Sequence, residues 1–294
     1  MRVIIIGQSG QLASELIATC PEGIEAKAFG RAALDITDAG AVLALLEKEQ
    51  PICVINASAY TAVDKAESDR DAAFAINRDA VANIASACKA LNIRLLHVST
   101  DFVFGPTSAT ATGEIAPLQP SAPCAPMGVY GESKLAGERA ITGLLPESSV
   151  IVRTAWVYSA HGNNFVKTML NLMASKPELN IIYDQIGSPT WAKGLAEWLW
   201  QVAKKPDAKG IYHWTDAGVA SWYDFAKAIQ SLALEKGLLK TAIPINPIPT
   251  SGYPTPAKRP GYSVLDKTSA EALTGMAPRY WREQLSDMLD EIKN

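Results

Sequence analysis

Histidine and cysteine are scarce, with three and four among 294 residues, and neither is arranged to hold a metal. Cys20, Cys53, Cys88 and Cys124 have no CxxC spacing, and His97, His161 and His213 are scattered. A zinc centre and a disulfide framework are both unsupported, so the expectation is unpaired thiols in a reducing compartment. A large charge of one sign is missing as well. Lys+Arg number 27 against 30 Asp+Glu, a formal net charge of −3, too small and too mixed to recruit nucleic acid or an anionic membrane. No apolar run approaches the length of a membrane span. The opening run, Val3 to Ile6 behind Arg2, stops at Gly7 and is too short for a signal-peptide core. These absences predict a cytoplasmic protein without metal, nucleic-acid or membrane partners.

The chain is long enough for one large core or a large domain plus a smaller one. Its first half alternates short β-branched runs with helical stretches. Strands are expected over 2–6, 24–29, 52–56, 94–98 and 149–153, and helices over 11–19, 38–48, 71–91 and 131–142. Continuous apolar strands alternating with helices make an α/β, doubly wound parallel sheet of Rossmann type, which holds ligands beyond the carboxyl ends of its strands. After residue 153 the rhythm changes to mixed helices and loops rich in Trp and Pro, notably 243–260. The expected division is therefore a Rossmann domain over 1–155, with 179–214 returning to it in part. A smaller C-terminal α/β substrate domain would be built from 156–178 and 215–294. Residues 105–128 hold five prolines and three glycines within one stretch of Thr, Ser and Ala, a composition that reads as a lid or binding loop.

Four features carry chemistry. Gly7-Gln8-Ser9-Gly10-Gln11-Leu12-Ala13 follows the first strand and opens a helix, so a pyrophosphate can approach backbone N–H groups at a helix N-terminus. At the end of the second strand stands Phe29-Gly30-Arg31, with no carboxylate until Asp35. A guanidinium there suits a ribose 2′-phosphate, which favours NADP(H) over NAD(H), while Asp35 and Ile36 can line the adenine pocket. Tyr130 and Lys134 share a helix face four residues apart. A free tyrosine has a pKa near ~10; bringing it to neutrality would take roughly 4 kcal/mol, which an adjacent ammonium can supply. Ser99-Thr100-Asp101 closes the fourth strand and puts a hydroxyl at the ligand end of the sheet.

Together these features resemble the extended short-chain dehydrogenase/reductase superfamily. Within it, the strings Asn56 to Glu67 (NASAYTAVDKAE), Ser99 to Gly105 (STDFVFG), Arg153 to Tyr158, Gly162 to Phe165 (GNNF), Asp184 to Thr190 and Tyr253 to Pro260 are similar to the dTDP-4-dehydrorhamnose reductase family. The resemblance spans nearly the whole chain. It implies NADPH-dependent reduction of the C4 ketone of dTDP-4-dehydro-β-L-rhamnose, in nucleotide-sugar and polysaccharide biosynthesis, with NADH left open as a second cofactor.

It also implies that Thr100, Tyr130 and Lys134 form the catalytic set. Gly7, Gly10, Gln11 and Leu12 would face the cofactor pyrophosphate, Arg31, Asp35 and Ile36 its adenosine half, and Ala59, Tyr60 and Thr61 its nicotinamide half. Asp101 and Trp156 would face the deoxysugar, and Arg259 is the candidate for a substrate phosphate. Two departures stand out. The 105–128 loop, with its run Thr107 to Thr112, looks longer than the family pattern. Some members pair as dimers through acidic residues and magnesium; Glu15 is in place, but the helix after Thr190 begins Trp191-Ala192-Lys193-Gly194, so the magnesium is not carried over, while a homodimer stays open. The rival readings are a reductase of another 6-deoxy-4-keto sugar nucleotide and a non-catalytic NADP-binding regulatory subunit like that of methionine adenosyltransferase. A 4,6-dehydratase is disfavoured because Asp101 is followed by Phe102, not Glu.

Overall fold

Val3 to Ile6 are buried almost completely, as a strand covered on both faces requires. The computed structural model describes residues 1–106 and 116–293. In chain order its first half runs β1 (Arg2–Ile6), α1 (Gln11–Ala18), β2 (Glu25–Phe29), α2 (Ala39–Glu49), β3 (Cys53–Asn56), α3 (Val63–Ala66), α4 (Arg70–Phe74), a π-turn (Ala75–Asp79), α5 (Ala80–Ala90), β4 (Arg94–Thr100), α6 (Val129–Leu144) and β5 (Ser149–Thr154). The second half runs β6 (Val157–Tyr158), α7 (Phe165–Ser175), β7 (Leu179–Ile182), β8 (Ile186–Gly187), β9 (Thr190–Trp191), α8 (Ala192–Ala203), β10 (Gly210–His213), β11 (Ala220–Ser221), α9 (Trp222–Glu235), β12 (Ile245–Ile248), α10 (Thr268–Thr274) and α11 (Trp281–Lys293).

Six strands form one parallel sheet in the order β2-β1-β3-β4-β5-β10. The chain crosses from one side of β1 to the other between β2 and β3, so the ligand crevice opens beyond the carboxyl ends of β1 and β3. Leu12, Leu16, Leu195, Trp198 and Trp200 pack one face of the sheet, and Val42, Leu46, Ile84 and Ile141 pack the other. A separate apolar cluster joins α7, α9 and α11 through Val166, Phe225, Ile229 and Leu285. All four cysteines are free. Among the described residues no helix is long and apolar enough to cross a membrane.

Two elements differ from expectation. The helix over 71–91 is interrupted by the π-turn, which turns the Asn77 side chain inward and pushes its carbonyl toward α6. A Cβ on Gly137 would sit 2.1 Å from that carbonyl oxygen, so close approach of the two helices requires glycine there. Apolar periodicity does not register a single inserted residue. The strand expected to end at Val98 continues to Thr100, which makes the hydroxyl part of the sheet's edge.

The run Thr107 to Thr112 lies outside the described residues. The part of the expected lid from 116 to 128 is stitched down. Leu118 N–H donates to Val264 O (2.8 Å), Ala125 N–H to Val103 O (3.0 Å), and Arg153 Nη1 to Pro120 O (3.0 Å). Arg153 also holds Glu138 of α6 through three contacts of 2.7–3.3 Å, with side chains only 3% and 2% exposed. One buried cation thus ties the sheet, the loop and α6 together.

Candidate active site

The turn after β1 is built for an anion. Gly7 has φ +108°, a region that disfavours any side chain, and a Cβ there would press on the backbone of Ala57 and Ser58 at 3.2 Å. At Gly10 the equivalent space is open, and Gly10 starts α1 without a side-chain cap and with no acid in the first turn. The N–H groups of the first turn are therefore free to meet pyrophosphate oxygens. Arg31 is exposed and makes no ion pair among the described residues. The Asp35 carboxylate is engaged by the Thr37 hydroxyl (2.7 Å) and N–H (3.0 Å), which hold its pKa below the usual range and shape the bend beside Ile36. These residues fit a dinucleotide carrying a 2′-phosphate.

Beyond β3, Asn56 Oδ1 accepts from Ser58 N–H (3.1 Å) and Oγ (2.6 Å), turning the chain toward Ala59, Tyr60 and Thr61. Asn77 of the π-turn clamps this loop: its Oδ1 accepts from Tyr60 N–H (2.9 Å), and its Nδ2 donates to Tyr60 O (3.1 Å) and Ser133 Oγ (3.0 Å). Ser133 Oγ in turn donates to Tyr130 O (2.8 Å). Glu67, the last residue of the same string, accepts from Val129 N–H (2.9 Å) and caps α6 just ahead of the tyrosine. The 59–61 loop and the helix carrying Tyr130 are therefore one rigid unit. Asn77 belongs to none of the sequence motifs, and only a buried amide at a helix irregularity marks it.

Thr100, Tyr130 and Lys134 converge at the end of β4. Tyr130 packs edge-on against Phe102 at 5.4 Å, and Lys134 Nζ donates to Val98 O (2.8 Å). Burial pushes the Tyr130 phenol up to about 12; the Thr100 hydroxyl beside it pulls the other way. Burial also lowers Lys134 to about 8. The expected lowering of the tyrosine by the ammonium is thus not a property of the protein alone: burial and the Asp101 charge raise the phenol, and the amine is turned to a backbone carbonyl. Thr100 Oγ1 donates to Asp101 Oδ1 (3.1 Å) and accepts from Phe102 N–H (3.2 Å). Asp101 is buried, which raises its carboxyl to about 6 against the opposing hydroxyls of Ser263 and Thr100.

On the substrate side Trp156 has φ +49°, left-handed for a bulky residue. Its ring lies parallel to Trp222 at 3.6 Å, and a Cβ on Gly187 would come within 2.7 Å of it. One indole face is thus covered by Trp222, and Gly187 closes on the ring beside Cε2 and Nε1. The Trp222 Nε1–H is held by Gln185 Oε1 (3.2 Å). Arg259 is not a free cation: its guanidinium pairs with Asp64 (2.8 and 3.1 Å), joining the Pro-rich segment to the 59–67 loop. Glu15 is buried and accepts from Ser159 Oγ (2.7 Å) and Trp191 Nε1 (3.2 Å), while Lys193 pairs with Glu291 (2.7 Å). Among the described residues no group of His, Cys, Asp and Glu is placed to hold a metal ion.

The family model described as the RmlD substrate binding domain matches residues 1–294. A dTDP-4-dehydrorhamnose reductase of Aggregatibacter actinomycetemcomitans is 38% identical, covering 98% of each chain. A probable dTDP-4,6-dihydroxy-2-methyloxan-3-one 4-ketoreductase of Streptomyces antibioticus is also 38% identical, over 99% of this chain and 96% of its own. The crystal structure of a Bacillus anthracis dTDP-4-dehydrorhamnose reductase in complex with NADP superposes with a TM-score of 0.89 at 34% identity over 99% of both chains.

Proposed function

The chain belongs to the RmlD substrate binding domain family and, within it, to the dTDP-4-dehydrorhamnose reductases, and from that membership we propose that it reduces the C4 ketone of dTDP-4-dehydro-β-L-rhamnose to dTDP-L-rhamnose. The observation that carries the chemistry is the meeting of Thr100, Tyr130 and Lys134 at the end of β4, beside the Gly7–Gly10 turn. NADPH, when bound, supplies the hydride that reduces the carbonyl carbon.

Tyr130 gives its proton to the oxygen as negative charge develops there. A phenol held near 12 is fully protonated at neutral pH, the form that reduction requires. Thr100 is the hydrogen-bonding neighbour of the carbonyl oxygen, and the Asn77 and Glu67 contacts keep Tyr130 aligned so that little reorganisation is left for the reacting complex. Lys134 holds the nicotinamide ribose, and Arg31 the 2′-phosphate. Asp101 and the uncovered part of Trp156 receive the deoxysugar.

The decisive assay supplies NADPH and dTDP-4-dehydro-β-L-rhamnose and follows NADPH oxidation, with the product identified by NMR. dTDP-L-rhamnose is expected; no oxidation, or a different product, overturns the assignment. The second reading, reduction of another dTDP-linked 4-keto-6-deoxy sugar, is favoured by the equal identity to the Streptomyces antibioticus ketoreductase. Competing the two sugars at equal concentration separates these readings.

A further inference from the structure

The GNNF string, Gly162 to Phe165, has no part in the chemistry so far, yet it lies against the cofactor turn. Asn164 sits at the N-cap of α7, where its Oδ1 accepts from Lys167 N–H (3.1 Å). That bond fixes which end of the amide is oxygen. The other end, Nδ2, donates to Ser159 O (2.7 Å) and to Gln11 Oε1 (2.9 Å). A reversed Asn164 would set oxygen against the Ser159 carbonyl and lose the cap, so it is excluded.

The consequence passes to Gln11, the first residue of α1. Its Oε1 is committed to Asn164, so its Nε2, which has no protein partner among the described residues, is the free end of the side chain. Gly162, at φ +63°, presses on the Gln11 stem from the same loop, with a Cβ position 3.2 Å from Gln11 Cγ. The loop itself is anchored to α1 through Ser159 Oγ and Glu15 (2.7 Å), and to α7 through Lys167 Nζ, which donates to Ala160 O (2.7 Å) and Gly162 O (3.0 Å).

We propose that Asn164 is a positioning residue for the dinucleotide: it locks the Gln11 amide in the orientation that offers an N–H donor, not a carbonyl, to the anionic pyrophosphate. This rests on the reading of the Gly7–Gly10 turn as a cofactor site. An unlocked Gln11 would present oxygen to a phosphate in part of its population and would have to be ordered on binding. The loop that follows β6 thus sets cofactor affinity without touching the reacting atoms.

The test titrates NADPH against the full chain by fluorescence, for the parent, Asn164→Ser, Gln11→Met and the double variant. Serine keeps an oxygen that caps α7 but has no amide to hold Gln11. Asn164→Ser should raise the NADPH Kd about tenfold, the scale of a hydrogen bond to a charged group. Gln11→Met should do the same, and the double variant should be no weaker than Gln11→Met alone. At saturating NADPH the kcat of Asn164→Ser should stay at the parent value, which a general loss of structure would not allow. Binding by Asn164→Ser equal to the parent, or losses that multiply in the double variant, overturns the proposal. If Asn164→Ser does not fold, Asn164→Asp retains the cap and is read the same way, with its added charge corrected by repeating it in the Gln11→Met background. A parent chain that binds no NADPH refutes the cofactor reading itself, and this inference falls with it.

Discussion

Replacing Glu138 by Gln perturbs a buried ion pair that connects sheet, loop and α6. The Glu138 and Arg153 side chains are almost without solvent contact, and three nitrogen–oxygen contacts of 2.7–3.3 Å join them. The guanidinium also serves Pro120 O and Cys124 Sγ and lies 5.0 Å from the centre of the Phe104 ring. Glu138→Gln keeps the shape but leaves the guanidinium without its counter-charge. Breaking a buried pair in this way costs about 3–5 kcal/mol, equivalent to a fall of roughly 5–8 °C in Tm for a chain of this length. Arg153→Met should cost a similar amount and also release the 120–124 segment. The double variant Glu138→Gln/Arg153→Met leaves no orphaned charge, so it should lose less than the two single losses added together. Urea melts of the four proteins measure this. Single losses under about 1 kcal/mol, or strict additivity, would refute the view of the pair as a buried, mutually dependent unit.

The remaining predictions use separate sites. Gly137→Ala forces a Cβ onto the Asn77 carbonyl oxygen and should cost at least about 1–3 kcal/mol. Gly143→Ala on the same helix meets nothing within 4 Å and should stabilise by about 0.5–1 kcal/mol; equal effects in urea melts would contradict the close approach at the π-turn. Burial raises Asp216 to about 7, although Trp191 N–H donates to it at 2.9 Å. A carboxyl raised in the folded state gives its full stability below its unfolded pKa and loses it as pH rises through the folded one. Asp216→Asn should therefore gain on the parent between pH ~4 and ~7, by on the order of 3–4 kcal/mol, and a pH-independent difference would contradict this. Arg31→Ser should reduce the ratio of NADPH to NADH affinity about tenfold or more, whereas an unchanged ratio would place the 2′-phosphate elsewhere.

Much of this arrangement was legible in the sequence because it rests on short-range signals. The apolar runs of β1, β3, β4 and β5 fix buried strands, the Gly7/Gly10 spacing fixes a turn at the end of β1, and the four-residue step from Tyr130 to Lys134 fixes a shared helix face. What was not legible depends on partners far apart in the chain. Arg259 reads as a free cation until Asp64, nearly two hundred residues away in sequence, is seen to pair with it. Trp156 reads as an open platform until Trp222 is stacked on one of its faces. The tyrosine's pKa is a matter of burial, which no spacing reveals. Asn77 and Asn164 are ordinary asparagines in sequence, and their roles appear only where each side chain bridges two segments.

The most direct measurement is the single-turnover rate of Tyr130→Phe with saturating NADPH and dTDP-4-dehydro-β-L-rhamnose. The ring and its contact with Phe102 are retained, and only the proton is lost. The rate should fall by about 10²–10⁴-fold while the NADPH Kd stays near that of the parent. A rate close to the parent's would contradict the assignment of Tyr130 as the acid.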